Sequence, residues 1–182
     1  LGVRTIEVDN GVEIENNGVV VEKLVLDCKN MPDAVMYIAV AACLLGVEFE
    51  ISGVETLRVK ESDRIEALIT EMRKCGYIIQ CTMHNSQFTI HNSQFTMHNA
   101  QPMVLSLGEK CIMHNAQCTM HNAQCIMHNA QCTDLVKIET YDDHRVAMAM
   151  AVVGLVRNIE IENPEVVNKS YPGFWEEMKK IK

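Results

Sequence analysis

Hydrophobic and polar positions alternate over short stretches of the chain, and this period of two predicts β-strands. Residues 5–8 and 12–15 alternate around Asp9-Asn10-Gly11, a turn sequence typical of a β-hairpin. Apolar runs bounded by turn residues predict further strands at residues 19–26, 47–54, 77–80, 135–139 and 159–161.

Apolar residues recur at helical spacing in the intervening segments, and they predict helices at residues 32–45, 62–74, 143–156 and 172–180. Gly46 and Gly76 follow the first two helices and are expected to end them. The third is apolar on nearly every side, which indicates a buried helix. Because strands and helices alternate, the predicted class is α/β, or α+β with mixed sheets.

A seven-residue unit interrupts this pattern between residues 81 and 131, with a break at residues 102–110. Six of the seven histidines lie in the repeat. Its apolar spacing does not fit a coiled coil. Two interpretations remain: a tandem duplication lying in a loop, which we favour because the units carry no charge, and a zinc or copper site. The metal ligands would be Cys111, His114, Cys118, His121, Cys125, His128 and Cys132.

The repeat sets the predicted domain boundaries. Residues 1–80 and 133–182 are expected to form one domain, and residues 81–132 a loop or disordered insertion. Replacing residues 81–131 with a short linker would then leave the stability nearly unchanged. A chain of 182 residues is long enough to bury an ordinary core.

Composition and charge exclude some classes of function. The net charge of -8 argues against general binding of nucleic acid. No apolar run reaches the ~18 residues of a membrane span, and no signal peptide is recognisable. The eight cysteines then read as reduced thiols. These features predict a cytoplasmic protein without a membrane or nucleic-acid partner.

Charged residues gather where helices are predicted to start. Asp33, the run Lys60-Glu61-Ser62-Asp63-Arg64, the pair His144-Arg145 and Lys169 all lie at or just before a helix start. A helix N-terminus presents free N–H groups and partial positive charge, which favour anions. We therefore expect one cleft that binds a small, multiply anionic substrate.

The cations and the acid–base residues of this cleft have different expected roles. Arg64 and Arg145 can hold a phosphate or carboxylate through two hydrogen bonds, while Lys60 and Lys169 act as point charges. For the carboxylates, two interpretations stay open: balance of the cationic charge, or proton transfer to and from the substrate.

Asp33 and Glu61 are the carboxylates concerned. His144 is open in the same way, since a histidine beside an arginine is often a structural hydrogen-bonding residue.

Four segments resemble one known family, in that family's order along the chain. They are Met31-Pro32-Asp33-Ala34, Leu57-Arg58-Val59-Lys60-Glu61-Ser62-Asp63-Arg64, Tyr141-Asp142-Asp143-His144-Arg145-Val146-Ala147-Met148-Ala149 and Lys169-Ser170-Tyr171-Pro172. They are similar to the C-terminal domain of the 3-phosphoshikimate 1-carboxyvinyltransferases, which are enolpyruvyl transferases. The resemblance covers residues 31–79 and 133–181 most strongly.

The resemblance implies a fold of repeated βαβαββ units whose helix N-termini face an interdomain cleft. It implies transfer of the enolpyruvyl group of phosphoenolpyruvate to the 5-hydroxyl of shikimate 3-phosphate, without a metal or organic cofactor. Asp33 would contact the shikimate hydroxyls as a candidate base, and Glu61 would move the proton at the methylene carbon. The remaining carried-over contacts are Arg64, Arg145 and Lys169 to phosphoenolpyruvate, Lys60 to shikimate 3-phosphate, and His144 as a neighbour of the site.

Two departures from the family pattern bear on activity. Thr56 stands where many relatives carry Asn, and the Gly-rich Lys-Ser motif of the N-terminal domain is absent. We expect the chain to be a fragment that lacks the N-terminal domain and is inactive alone. The alternatives are a UDP-N-acetylglucosamine 1-carboxyvinyltransferase on the same fold, and a non-catalytic remnant with a Cys/His metal-binding segment.

Overall fold

The computed structural model describes residues 2–83, 87–91, 94–98, 103–107, 113–114, 117–118 and 135–181. Among these residues the strands are β1 Val3–Val8, β2 Gly11–Asn16, β3 Lys23–Asp27, β4 Glu48–Ser52, β5 Ile79–Met83, β6 Gln87–His91, β7 Gln94–His98, β8 Met103–Leu107, β9 Met113–His114, β10 Gln117–Cys118, β11 Val136–Ile138 and β12 Ile159–Ile161. The α-helices are α1 Val35–Leu45, α2 Arg64–Lys74, α3 His144–Ala151 and α4 Phe174–Met178. Shorter 3-10 turns occupy Pro32–Ala34, Glu55–Val59, Val152–Leu155 and Pro164–Lys169.

The main sheet has four strands in the order β3-β4-β8-β5. β3 and β4 are parallel and are connected by α1, so they form a βαβ unit. β8 pairs antiparallel with β4 on one side and with β5 on the other. The order along the chain, β3-α1-β4-α2-β5 followed by β8, mixes helix and strand as an α/β protein does, and the predicted class is confirmed.

The core lies where α1 packs against β4, α2 and α3. The sequence of α1 is apolar throughout, and its buried side chains include Met36, Ala39 and Val40. α3 packs on the same core through Val146 and Met150. In the part of the chain described here, no helix combines the length and the apolarity that a bilayer crossing requires.

The predicted elements are present, and the differences lie mainly at their ends. The helix predicted over residues 143–156 is α-helical to Ala151 and then tightens into the 3-10 turn Val152–Leu155, where two β-branched valines and Gly154 favour the helix less. The strand predicted over residues 19–26 begins at Lys23, because residues 19–21 are exposed and unpaired with the main sheet.

The expectation of a loop or disordered insertion over residues 81–132 is wrong at β8. Met103–Leu107 lies between β4 and β5 in the main sheet, and Leu105 is fully buried. This strand falls in the break of the repeat, and it contains Val104 and Leu105, residue types that occur in none of the repeat units. β5 also extends to Met83, and β6 pairs with β7 as an antiparallel hairpin. β9 pairs antiparallel with β10, and the remaining residues of the segment are outside the described part of the chain.

Gly53 lets the end of β4 approach the turn that leads from β3 to Asp33. Its φ is +73°, a left-handed conformation. A Cβ atom added there would lie 2.8 Å from Lys29 Cα and closer still to the Lys29 nitrogen. Cys28 N–H donates to the Ser52 carbonyl across the same contact. The two chain segments that carry the candidate site therefore meet at a position where only glycine fits.

Gly53→Ala is expected to lower the free energy of unfolding by at least about 2 kcal/mol, because it adds both backbone strain and a clash with main-chain atoms. Gly46→Ala is the matched control, since Gly46 also has a left-handed φ of +69° but has open space around it. That control should lose about 1 kcal/mol. Urea unfolding of the two variants measures the difference, and equal losses would contradict the packing argument.

Leu105→Ala is expected to lower the free energy of unfolding by about 2–4 kcal/mol, because a buried leucine leaves a cavity when truncated. Leu135→Ala removes the same atoms from a side chain that is 55% exposed and should change little. Thermal unfolding of both variants compares them. A harmless Leu105→Ala would mean that β8 is not part of the core, and would restore the interpretation of residues 81–132 as a dispensable loop.

Candidate active site

The start of α2 is fixed by a side-chain cap. Asp63 has extended backbone angles, and its Oδ1 accepts hydrogen bonds from the N–H groups of Ile65, at 3.2 Å, and Glu66, at 3.1 Å. Arg58 donates to Asp63 Oδ2 at 2.8 Å and holds the capping residue from the other side. The helix consequently begins at Arg64, whose side chain points into the protein and is only 3% exposed.

The start of α3 is built in the same way around Asp143. Its Oδ1 accepts from the Arg145 N–H at 2.9 Å. Arg64 Nε donates to Asp143 Oδ2 at 2.7 Å, and Arg64 Nη2 donates to Oδ1 at 3.1 Å. Ser62 Oγ donates to the same carboxylate at 3.0 Å. The starts of α2 and α3 are thereby joined by a bidentate ion pair.

Burial by itself would raise the pKa of Asp143. The hydrogen bonds from Arg64 and from the Arg145 N–H act in the opposite sense, and they hold the pKa of Asp143 below its ordinary value of 3.8. Burial also tends to lower the pKa of Arg64, but its bonds with Asp143 and its pairing with Asp33 raise that pKa. Both directions favour the charged pair.

Asp33 lies where three cations converge. Arg64 Nη1 donates to Asp33 Oδ1 at 2.8 Å, and Arg145 Nη2 pairs with Oδ2 at 2.9 Å. Lys60 Nζ is 3.8 Å from Oδ1. The Asp33 side chain is 42% exposed, and those of Arg145 and Lys60 are about one-third exposed, so this part of the site faces solvent.

Glu61 and His144 form a second pair beside this cluster. His144 Nδ1 is 3.0 Å from Glu61 Oε2, and the imidazole is nearly buried while the carboxylate is 41% exposed. The histidine therefore orients a carboxylate that solvent can reach. Glu61, His144 and Asp143 each offer a ligand atom within 4.8 Å of the others. A cation there is disfavoured because the Asp143 oxygens already face the Arg64 guanidinium.

The predicted site residues divide into those brought together and one that stands apart. Three cations surround the Asp33 carboxylate: Lys60, Arg64 and Arg145. We call these four residues the cation cluster, and Glu61 and His144 lie next to it. Lys169 is exposed at the end of the turn Pro164–Lys169 and makes no ion pair with any residue in the described ranges. Val166 and Val167 pack that turn against Ala147 of α3. Lys169, at the end of the turn, therefore lies close to α3.

Sequence reasoning did not assign roles to three residues that build the site. Asp143 has no assigned role in the sequence prediction, although an Asp directly before an apolar helix is a capping signal. The role of Ser62 is recognised only from its hydrogen bond to Asp143 in the structure. Tyr37 lies on α1, where burial raises the pKa of its hydroxyl and the nearby Arg145 guanidinium opposes that rise. No short sequence pattern indicates the Tyr37 contact, because the partners are more than a hundred residues apart.

Asp143→Asn is expected to lower the free energy of unfolding by about 3 kcal/mol at neutral pH, because Arg64 would stay buried without its counter-charge. Asp142→Asn is the matched control on an exposed neighbour and should change it by less than about 0.5 kcal/mol. Urea unfolding at several pH values measures both.

The pH dependence has a definite sign. A lowered folded-state pKa means that Asp143 stabilises the fold fully above its ordinary value of 3.8 and loses this contribution as pH falls through the lower value. The difference between the wild-type chain and Asp143→Asn should therefore shrink in strong acid. A pH-independent difference would contradict the charged pair.

The fold and the site define an α/β protein that presents cations and carboxylates together at the starts of its helices. The family model for EPSP synthase (3-phosphoshikimate 1-carboxyvinyltransferase) matches residues 2–105 and 110–178. The chain belongs to this family.

Individual relatives agree with the family match. A 3-phosphoshikimate 1-carboxyvinyltransferase of Bacteroides fragilis is 35% identical over 181 residues, which is 99% of this chain and 35% of the relative. The proteins of the same name from Syntrophobacter fumaroxidans and Aquifex aeolicus are 32% and 33% identical, over 100% and 82% of this chain and 34% and 26% of the relatives. The chain spans between about a quarter and a third of the length of these curated relatives.

Proposed function

We propose that this chain is part of an enzyme that transfers the enolpyruvyl group of phosphoenolpyruvate to the 5-hydroxyl of shikimate 3-phosphate and releases phosphate. The observation that carries the proposal is the convergence of Lys60, Arg64 and Arg145 on one carboxylate, next to the pair of Glu61 and His144. Both substrates are polyanions, and the reaction needs protons moved at an oxygen and at a carbon. The relatives named above carry this activity in their names.

The cation cluster is suited to exchange one anion for another. In the free chain, Asp33 takes the place that a substrate carboxylate or phosphate would occupy on Arg145 and Lys60. Exposed pairs of this kind are worth at most about 1 kcal/mol, so an incoming dianion can replace them. Arg64 is nearly buried and uses two of its bonds on Asp143, so it contributes its Nη1 and its charge. Lys169 would supply a further positive charge to phosphoenolpyruvate.

The acid–base residues fit an addition followed by an elimination. In the addition, the substrate hydroxyl oxygen bonds to C2 of phosphoenolpyruvate, its proton leaves, and C3 gains a proton. In the elimination, C3 loses a proton and the C2–O bond to phosphate breaks, which restores the double bond. Glu61, oriented by His144, would give and remove the proton at C3, and Asp33, once displaced from the cations, would accept the hydroxyl proton.

We infer that the remainder of the longer protein completes the site. Asp33 and Glu61 are about two-fifths exposed, whereas proton transfer at carbon is efficient where water is excluded. Repeated βαβαββ units, with an N-terminal domain closing over this one, would provide the cover. The order β3-α1-β4-α2-β5-β8 is one such succession when the β6–β7 hairpin is passed over.

The experiment measures phosphate release from phosphoenolpyruvate and shikimate 3-phosphate. The chain is assayed alone and then mixed with the separately expressed remaining part of the Bacteroides fragilis relative. We expect activity only in the mixture, since positioning of the reacting groups to about an ångström needs both parts. Arg145→Gln should reduce the rate at least about 100-fold. Arg73→Gln, on the exposed face of α2, is the matched control and should not change it.

The outcomes separate the proposal from its alternatives. Activity in the mixture that Arg145→Gln removes would support the transferase. Folded halves that associate and yet release no phosphate would favour a non-catalytic remnant. Release that depends on UDP-N-acetylglucosamine instead of shikimate 3-phosphate would reassign the substrate.

A further inference from the structure

Glu71 is a fully buried carboxylate on α2 that lies outside the cation cluster. Its Oε1 accepts a hydrogen bond from the Tyr141 hydroxyl at 2.7 Å, and its Oε2 accepts from the Glu139 N–H at 3.3 Å. Lys74 Nζ pairs with it at 2.8 Å. A buried carboxylate is costly unless its oxygens are satisfied, and here each oxygen has donors. The Glu71 carboxylate is therefore a buried, fully hydrogen-bonded part of the fold and not a surface charge.

The partners of Glu71 belong to the turn that leads into α3. Tyr141 and Asp142 both have a left-handed φ of +53°, which non-glycine residues adopt only when their surroundings impose it. Tyr141 is tied to Glu71 through its hydroxyl, and Asp142 is tied to Asn163. Burial and the bond to Glu71 raise the pKa of Tyr141, so the hydroxyl remains a donor. Glu71 therefore helps to hold an otherwise disfavoured backbone shape.

The same helix face also carries Arg64. Arg64 and Glu71 are seven residues apart, close to two full helical turns, so they lie one above the other at about 10 Å along α2. Arg64 binds Asp143 after the turn, and Glu71 binds Glu139 and Tyr141 before and within it. α2 therefore contacts the turn at both of its ends. The contact made by Glu71 fixes where Asp143 meets Arg64.

We propose that Glu71 is a positioning residue of the candidate site. By fixing the turn at Tyr141 and Asp142, Glu71 sets the position of Asp143. Asp143 in turn sets the positions of the Arg64 guanidinium and of the Arg145 backbone. Glu71 itself contacts no group of the cation cluster. The effect on ligand affinity rests on the proposed function, whereas the effect on the geometry of Arg64 and Arg145 does not.

The test compares Glu71→Gln and Tyr141→Phe with the wild-type chain. Glutamine offers one acceptor oxygen where the tyrosine hydroxyl, the Glu139 N–H and Lys74 need several, and phenylalanine removes only the hydroxyl. Glu66→Gln is the matched control, on the same helix but 59% exposed and paired only with Arg58 among the described residues. Three quantities are measured: the NMR signals of the Arg64 Nε–H and Arg145 N–H, the affinity for inorganic phosphate, and the melting temperature.

We expect both test variants to move the two arginine signals and to weaken phosphate binding about tenfold, while Glu66→Gln changes neither. The double variant should lose less than the sum of the two single losses, because the two residues share one hydrogen bond.

A lower melting temperature with unchanged arginine signals would overturn the proposal and leave Glu71 a structural residue only. If Glu71→Gln does not fold, Tyr141→Phe still decides, since it keeps the packing of the ring. If the wild-type chain binds no phosphate, the anion site fails, and the arginine signals alone then support or overturn the positioning role.

Discussion

The buried ion pair between Arg64 and Asp143 is the constraint on which the rest of the site depends. Taking both charges out of water costs several kcal/mol per ion, and the cost is offset only when the geometry is good and the remaining polar atoms are satisfied. Here the carboxylate receives two bonds from the guanidinium, one from Ser62 and one from the Arg145 N–H. Since Arg64 begins α2 and Asp143 caps α3, this pair sets the two helix starts against each other.

Backbone strain accompanies this arrangement. Two consecutive left-handed residues, Tyr141 and Asp142, cost roughly 1–2 kcal/mol each and lie immediately before Asp143. A turn of this shape reverses the chain between β11 and α3 without glycine, and it brings the Asp143 carboxylate to Arg64. The strain is confined to these two residues, and it is offset by the ion pair that the turn makes possible. The same short turn therefore both destabilises the backbone locally and completes the candidate site. Gly53 has the opposite character, because there glycine removes the strain that any other residue would add.

The sequence predicted the class, most elements and the charged residues at the helix starts, because those depend on local patterns. Helical apolar spacing and the stop glycines are readable within about ten residues of chain. It did not predict β8, since a strand of five residues in a short break of the repeat has no period long enough to be recognised, and its pairing with β4 and β5 is set by the sheet. Nor did it predict that Arg64 donates hydrogen bonds to Asp143, seventy-nine residues away, because tertiary packing determines which partner Arg64 meets.

The charged pairs of the site divide into permanent and exchangeable ones. The Arg64–Asp143 pair is almost fully buried, and its loss would leave a desolvated charge. The pairs of Asp33 with Arg145 and Lys60 are partly exposed, screened by salt, and individually weak. Under the proposed function, an anionic ligand would therefore replace Asp33 on these cations and leave the helix starts in place. A buried pair next to partly exposed pairs would thus give a site in which Asp33 balances the cations before an anion binds, and whose helix starts keep their positions afterwards.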